Sequence, residues 1–267
     1  RKYVQGIASD CWKADWSGEN TVVVRIDKNP ISLHPINNEG IAWAFIKPLI
    51  HRQIVGIDLE SLGLRADLVK NLPEISEDGL RFTYTLRDEP RWDDGTRLSV
   101  DDILFTFKTS LSPLTNNDKS MLKNVVDVEV DRELNRFTLV MTQPYIQNIA
   151  FLTDVVLLQE KFFDPDGVLS DISLATLLDP AFSSENYPEF AAWSIQFNSS
   201  AYSHQAENLV GLGAYRISSW EADQRLVLER KANHWTQELA NPSIYETAYP
   251  DKIIFKISGD QTGQFLS

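Results

Sequence analysis

Four histidines, one cysteine and several paired acids are the side chains in this 267-residue sequence best suited to chemistry. His34, His51, His204 and His234 are far apart, and none has the i, i+4 spacing that lets two imidazoles on a helix share a metal. Cys11 has no second cysteine to pair with, so no intramolecular disulfide can form. Asp93/Asp94, Asp101/Asp102 and Asp164/Asp166 could divide acid and base roles if a cleft pushed their pKa values apart. Each pair also has a local reason to be acidic, in a turn or the first turn of a helix. Gly211-Leu212-Gly213 lacks the third glycine of a dinucleotide loop, and there is no nucleophile elbow or phosphate-binding lysine motif. The expectation is no catalytic residue, no metal ligand set and no cofactor.

The balance of charge narrows the partners. Thirty-eight acids against 25 lysines and arginines leave a net charge of −13, which repels phosphate backbones and anionic lipid. Nucleic acid is therefore not an expected partner. The hydrophobic fraction of 43% is enough for a real core. No apolar run approaches the ~20 residues of a membrane-spanning helix.

The elements that must position these residues follow from hydrophobic period. Thr21–Ile26 is β-branched and reads as a buried strand, followed by a loop over 27–40 rich in Asn and Pro. Residues 41–50 read as a helix that Pro48 should end or kink. Phe82, Tyr84 and Leu86 alternate with threonines, predicting a half-buried strand over 81–87. Residues 99–111 form the clearest helix, with Ser99 as cap and Val100, Ile103, Leu104, Phe107 and Leu111 on one face. Val126, Val128 and Val130 alternate, as do Phe137, Leu139 and Met141, predicting a hairpin. Residues 146–163 read as a helix and then a short strand or turn, with further helices over 171–178 and 187–200. A second hairpin is expected over 214–220 and 224–230, and a last strand over 253–257. The order is α+β, a mixed α/β arrangement with antiparallel hairpins.

Six segments, in order, resemble one family. Pro30-Ile31-Ser32-Leu33-His34-Pro35 is similar to the segment after the first strand of family 5 extracellular solute-binding proteins, with His34 where that pattern has an acid. Ile75–Arg87, Trp92–Thr96, Ser99–Phe107 and Asp164–Gly167 resemble successive segments of the same family. So does Gly211–Tyr215 with Trp220, Leu226–Arg230 and Trp235, although Leu212 and Ala214 replace the usual Thr and Pro.

The resemblance implies lobe I of a two-lobed periplasmic-binding-protein-like fold (class II, cluster C), with lobe II absent. It divides the sequence into a lead-in or tail over 1–20, lobe I over 21–260 and the start of the crossing to lobe II over 261–267. Within lobe I, 21–50 and 205–260 would form a core subdomain and 51–204 an inserted one. The implied function is capture of oligopeptides or similar solutes for the permease subunits of an ABC importer. The protein would act as a monomer outside the cytoplasm, in the periplasm or lipid-anchored to the envelope. Binding residues implied by the resemblance are Asn37, Asn38, Glu39, Gly40 and Ile41, with Trp43 as an apolar wall and Gly211, Gly213 and Tyr215 as a cleft floor. Asn37-Asn38 also reads as a turn and Trp43 as core. Two other functions stay open: a surface hydrolase using the paired carboxylates, and a sensing or interaction protein on the same fold.

Overall fold

The computed structural model describes residues 20–37, 40–145 and 148–258. Ten strands are β1 (Thr21–Ile26), β2 (Val55–Ile57), β3 (Leu64–Ala66), β4 (Glu74–Ile75), β5 (Arg81–Thr85), β6 (Val125–Asp131), β7 (Arg136–Met141), β8 (Tyr215–Glu221), β9 (Arg225–Arg230) and β10 (Lys252–Ile257). Three longer helices are α1 (Ile41–Ile50), α2 (Val100–Leu111) and α3 (Pro188–Phe197). The mixed α/β class expected from the order of elements holds.

Two four-stranded sheets carry the fold. One has the order β1-β10-β9-β8, and the other, wholly antiparallel, has the order β4-β5-β7-β6. β1 pairs with β10 in parallel, with Thr21 opposite Lys252, so the first and last described strands lie side by side. The chain leaves the first sheet after β1 and α1, builds the second sheet and most helices, and returns with β8. The hairpins close on Asn135 and Asp223, both at positive φ, a conformation that Asn and Asp tolerate through short polar side chains.

Three apolar clusters fill the interior. The largest joins Phe82, Tyr84 and Leu86 to Phe137, Leu139, Met141 and the Ile103–Phe107 face of α2. A second packs Trp43, Ile46 and Ile50 of α1 on Tyr215, Ile217, Leu226 and Leu228. The third is aromatic, with Phe105, Phe163, Phe190 and Phe197 at its centre.

Several local expectations change. Pro48 does not stop α1, which runs to Ile50; the proline sits in the last turn, where one lost N–H bond is tolerable. α2 is buried nearly all round rather than on one face, because the aromatic cluster covers its far side. Val126 is exposed, since a bulge between Val125 and Asp127 shifts the register and turns Val125 inward instead. Among the described residues of the 146–163 segment there is no long helix, but a 3₁₀ turn at Ala150–Thr153 and a helical turn at Glu160–Phe163. β2, β3 and β4 are too short to show a hydrophobic period.

Asp102 is the main polar fixture of the second half. Its carboxylate accepts from the Ser99 amide (3.0 Å), the Trp92 indole (3.1 Å) and the Glu160 amide (2.9 Å), while Ser99 caps α2 in return. Burial pushes its pKa up, and these hydrogen bonds oppose the rise. Replacing Asp102 by Ala removes the capping box and strands the buried Trp92 indole and the partly buried Glu160 amide. The expected loss is about 2–4 kcal/mol in urea unfolding, against under about 0.5 kcal/mol for Asp101→Ala; equal losses would refute this assignment.

Candidate functional site

The loop after β1 is shaped by His34. Its ring is buried and stands edge-on to Phe197, with centroids 4.9 Å apart. Nδ1 accepts the backbone N–H of Asn37 (3.0 Å) and of Ile36 (3.3 Å), so the proton sits on Nε2 and is donated to the Phe197 carbonyl (2.8 Å). Burial lowers its pKa and keeps the ring neutral. Ser32 Oγ donates to the Asn37 carbonyl (2.9 Å) and closes the same turn. The imidazole thus supplies the acceptor that an Asx-type side chain would offer to a turn, and its second nitrogen ties that turn to α3.

Gly40 follows at φ 99°, a conformation for which glycine is needed, and opens α1 without a side-chain cap. Apart from Lys47, α1 is built of apolar residues, and not all of them reach the core. Trp43, Ile46 and Ile50 point inward, while Ile41 is 80% and Phe45 56% exposed. With Ile31, also exposed, they border a groove of about 710 Å³ whose rim carries Arg25, Asp27 and Lys28. Asn37, on the same loop, lines a separate cleft of about 390 Å³ together with Asn116, Asn117, Asp118 and Met121, over a floor that includes Phe151. Both volumes fall in the range of small-molecule sites. Asn38 and Glu39 lie outside the described residues.

The remaining expected residues are packed away from both concavities. Trp43 is buried against His51, with centroids 5.5 Å apart. Tyr215 is buried and donates its hydroxyl to the Pro250 carbonyl (2.9 Å). Gly211 and Gly213 press on the end of α1: the Gly213 N–H donates to the Ile50 carbonyl (2.8 Å), and a Cβ at either glycine would collide with that backbone. Neither glycine lines the groove or the cleft, because helix backbone fills the space beside both.

The paired acids are structural too. Asp93 pairs with Lys231 (2.5 Å). Burial would raise the Asp94 carboxyl, but hydrogen bonds from Thr96, Lys161 and Gln159 outweigh it and hold the pKa at about 2. Asp101 pairs with Arg132 (2.7 Å), and Asp164 accepts the amides of Val168 and Leu169. None of the three pairs lines the groove or the cleft. Among the described residues, no group of three or more His, Cys, Asp or Glu side chains is placed to hold a metal ion.

Residues 63–267 match the family model described as bacterial extracellular solute-binding proteins, family 5 middle. The chain belongs to that family. The oligopeptide-binding protein OppA of Bacillus subtilis is 19% identical over 227 residues, 85% of this chain and 38% of that protein. The Escherichia coli murein tripeptide binding protein MppA superposes with a TM-score of 0.67 at 15% identity, covering 94% of this chain and 45% of that one. NikZ from Campylobacter jejuni, solved with Ni(L-His), gives 0.65 at 19% identity, covering 93% of this chain and 41% of its own. This chain therefore spans less than half the length of each, and the superpositions establish the shared fold of the solute-binding family.

Of the residues expected to bind, Gly40 and Ile41 border the groove and Asn37 the cleft, while Ile31 and Phe45, which also border the groove, were not among those expected. The sequence carries a sign of Phe45, since a helix with more apolar residues than one face can hold leaves some of them outside its own core. Nothing in the sequence pointed to Asn116, Met121 or Phe151, which tertiary packing alone brings to Asn37.

Behind the site, two histidines are buried without charge. Among the described residues, His51 has no side-chain hydrogen-bond partner, and burial, helped by Lys231 and Lys47, lowers its pKa to about 3. Burial likewise lowers His234 to about 4. The unfolded chain binds these protons near pH 6.5 and the folded chain does not. Stability should therefore fall as pH drops from about 6.5 toward 4, by up to about 1.4 kcal/mol per unit for each histidine. His51→Leu should remove one such increment of slope in urea unfolding between pH 6.5 and 4.5. Comparing the two proteins isolates the histidine from Asp102 and Glu160, whose carboxyls burial pushes up. Identical slopes would contradict the assignment.

Proposed function

We propose that this chain forms one wall of the ligand cleft of an extracytoplasmic solute-binding protein, which captures peptides or similar small solutes for an ABC permease and catalyses no reaction. The observation that carries this reading is the exposed apolar groove beside glycine-opened α1, on a loop held in place by His34. An extended peptide would lay its main chain along the Asn37–Ile41 segment, where Gly40 has no side chain to keep it off, and seat an apolar side chain against Ile31, Ile41 and Phe45. Trp43, Gly211, Gly213 and Tyr215 would act from behind, by fixing α1.

Membership of the solute-binding family and the oligopeptide- and dipeptide-binding names of two relatives favour this over the hydrolase reading. The engagement of Asp93, Asp94, Asp101, Asp102 and Asp164 with structural partners points the same way. The protein would work as a monomer without cofactor, in the periplasm or anchored to the envelope. No helix among the described residues is long and apolar enough to cross a membrane.

Affinity in a two-walled cleft comes from polar and apolar groups converging from both sides, so one wall should bind weakly. Titrating the chain with short apolar peptides should move the amide resonances of Gly40–Phe45 only at millimolar ligand. Ile41→Asp and Phe45→Asp should each weaken the response about tenfold while leaving the fold intact, because both side chains are exposed. Micromolar affinity in calorimetry would overturn the one-wall reading, and no response to any peptide would overturn the peptide class.

A further inference from the structure

The cleft lined by Asn37 and Asn116 is distinct from the apolar groove, and its chemistry is different. Its acids are already engaged. The Asp154 carboxylate pairs with Lys47. Asp118 spends its two oxygens on the Ser120 amide and hydroxyl, each at 2.9 Å. The nearby cation is engaged as well, because Lys119 Nζ donates to the Thr115 and Asn117 carbonyls. The Asn117 side chain donates to the Ser110 carbonyl (2.9 Å).

Two side chains are left over, that of half-buried Asn37 and that of Asn116 on the exposed lip of the cleft. Among the described residues, the carboxamides of Asn37 and Asn116 make no hydrogen bond, although the backbone of each is fixed. The Asn37 N–H is held by His34 Nδ1, and the Asn116 N–H donates to Asn198 Oδ1 (3.0 Å). Each amide therefore offers both a donor and an acceptor into the same cleft from a rigid support. Below them Leu122, Phe151 and Val156 form a buried apolar floor, and Met121 stands half-exposed at its side.

We propose that this cleft is a specificity subsite for an uncharged amide group, the carboxamide side chain of Asn or Gln in a bound peptide. A carboxamide carries one donor face and one acceptor face, so it can satisfy both asparagines at once, and its methylenes suit the apolar floor. A charged side chain would have to give up water for a cleft whose acids and lysine already have partners. The inference rests on the reading that the Asn37–Ile41 loop meets a peptide.

The test is a titration of the chain, followed by amide chemical shifts, with three peptides: Ala-Asn-Ala, Ala-Lys-Ala and Ala-Glu-Ala. Ala-Asn-Ala is expected to move Asn116–Leu122 and Val155–Val156 and to bind about fivefold more tightly than the charged pair, the scale of a hydrogen bond gained in a partly wet site. Asn37→Ala and Asn116→Ala should each abolish that preference without changing the response to Ala-Lys-Ala. Neither side chain has an intramolecular bond to lose, so both variants should fold. Shifts confined to Gly40–Phe45, or equal affinity for all three peptides, would overturn the subsite and leave the peptide reading standing. Absence of any shift would overturn both.

Discussion

Backbone meets backbone where Gly211 and Gly213 cross the end of α1, and the rest of the molecule is arranged around that contact. The Gly213 N–H reaches the Ile50 carbonyl only because no side chain intervenes. So close an approach seals His51 away from water and brings Lys231 to the Gly211 carbonyl (2.6 Å). Lys231 in turn holds Asp93, which belongs to the half of the molecule built on the second sheet. Leu212, between the two glycines, enters the core of that second half, while Leu209 and Tyr215 enter the core of the first. One short segment thus belongs to both interiors, and its carbonyl at Leu212 accepts from His234 and Trp235.

A network of arginines and rings closes the same junction from another side. Arg52 and Arg65 both reach Asp67, and Arg87 pairs with Glu246 (2.6 Å). The guanidinium of Arg65 lies 3.8 Å from the ring centre of Tyr245, and Arg52 and Arg87 approach Trp235. These contacts fasten the segment before β10 to the β2–β3 hairpin. They bear on the groove because one of its walls is α1, and the loop before α1 contributes to both concavities. A helix anchored by its C-terminal end and by Trp43 can leave Ile41 and Phe45 facing outward without losing its place. Rigid support is what allows an exposed apolar surface to act as a template rather than collapse onto the nearest core.

His34 ties a turn to a helix through the two nitrogens of one ring. A carboxylate in its place would accept the turn amides through its oxygens but would offer no donor. The imidazole accepts them through Nδ1 and supplies a donor, Nε2–H, that reaches α3. The turn is thereby tethered to the aromatic cluster by a ring that burial keeps neutral.

Much of the fold was legible before any coordinates. The alternations at Phe82–Leu86 and Phe137–Met141, the capped helix after Ser99 and the terminal strand at 252–257 follow from periods and caps that need only neighbouring residues. The family was legible from six short segments in order. The site was only partly so. Asn37, Gly40 and Ile41, expected from the resemblance, border the two concavities, whereas Trp43, Gly211, Gly213 and Tyr215, expected from it too, are packed inside. A glycine needed for a close backbone approach looks the same in sequence whether its neighbour is a ligand or a helix. The sequence alone determined which segments are strands and helices, because hydrophobic period and capping are local. Only the tertiary structure decided which face of α1 is free and which asparagines line the same cleft, because burial and shared cavities depend on residues about eighty positions apart along the chain.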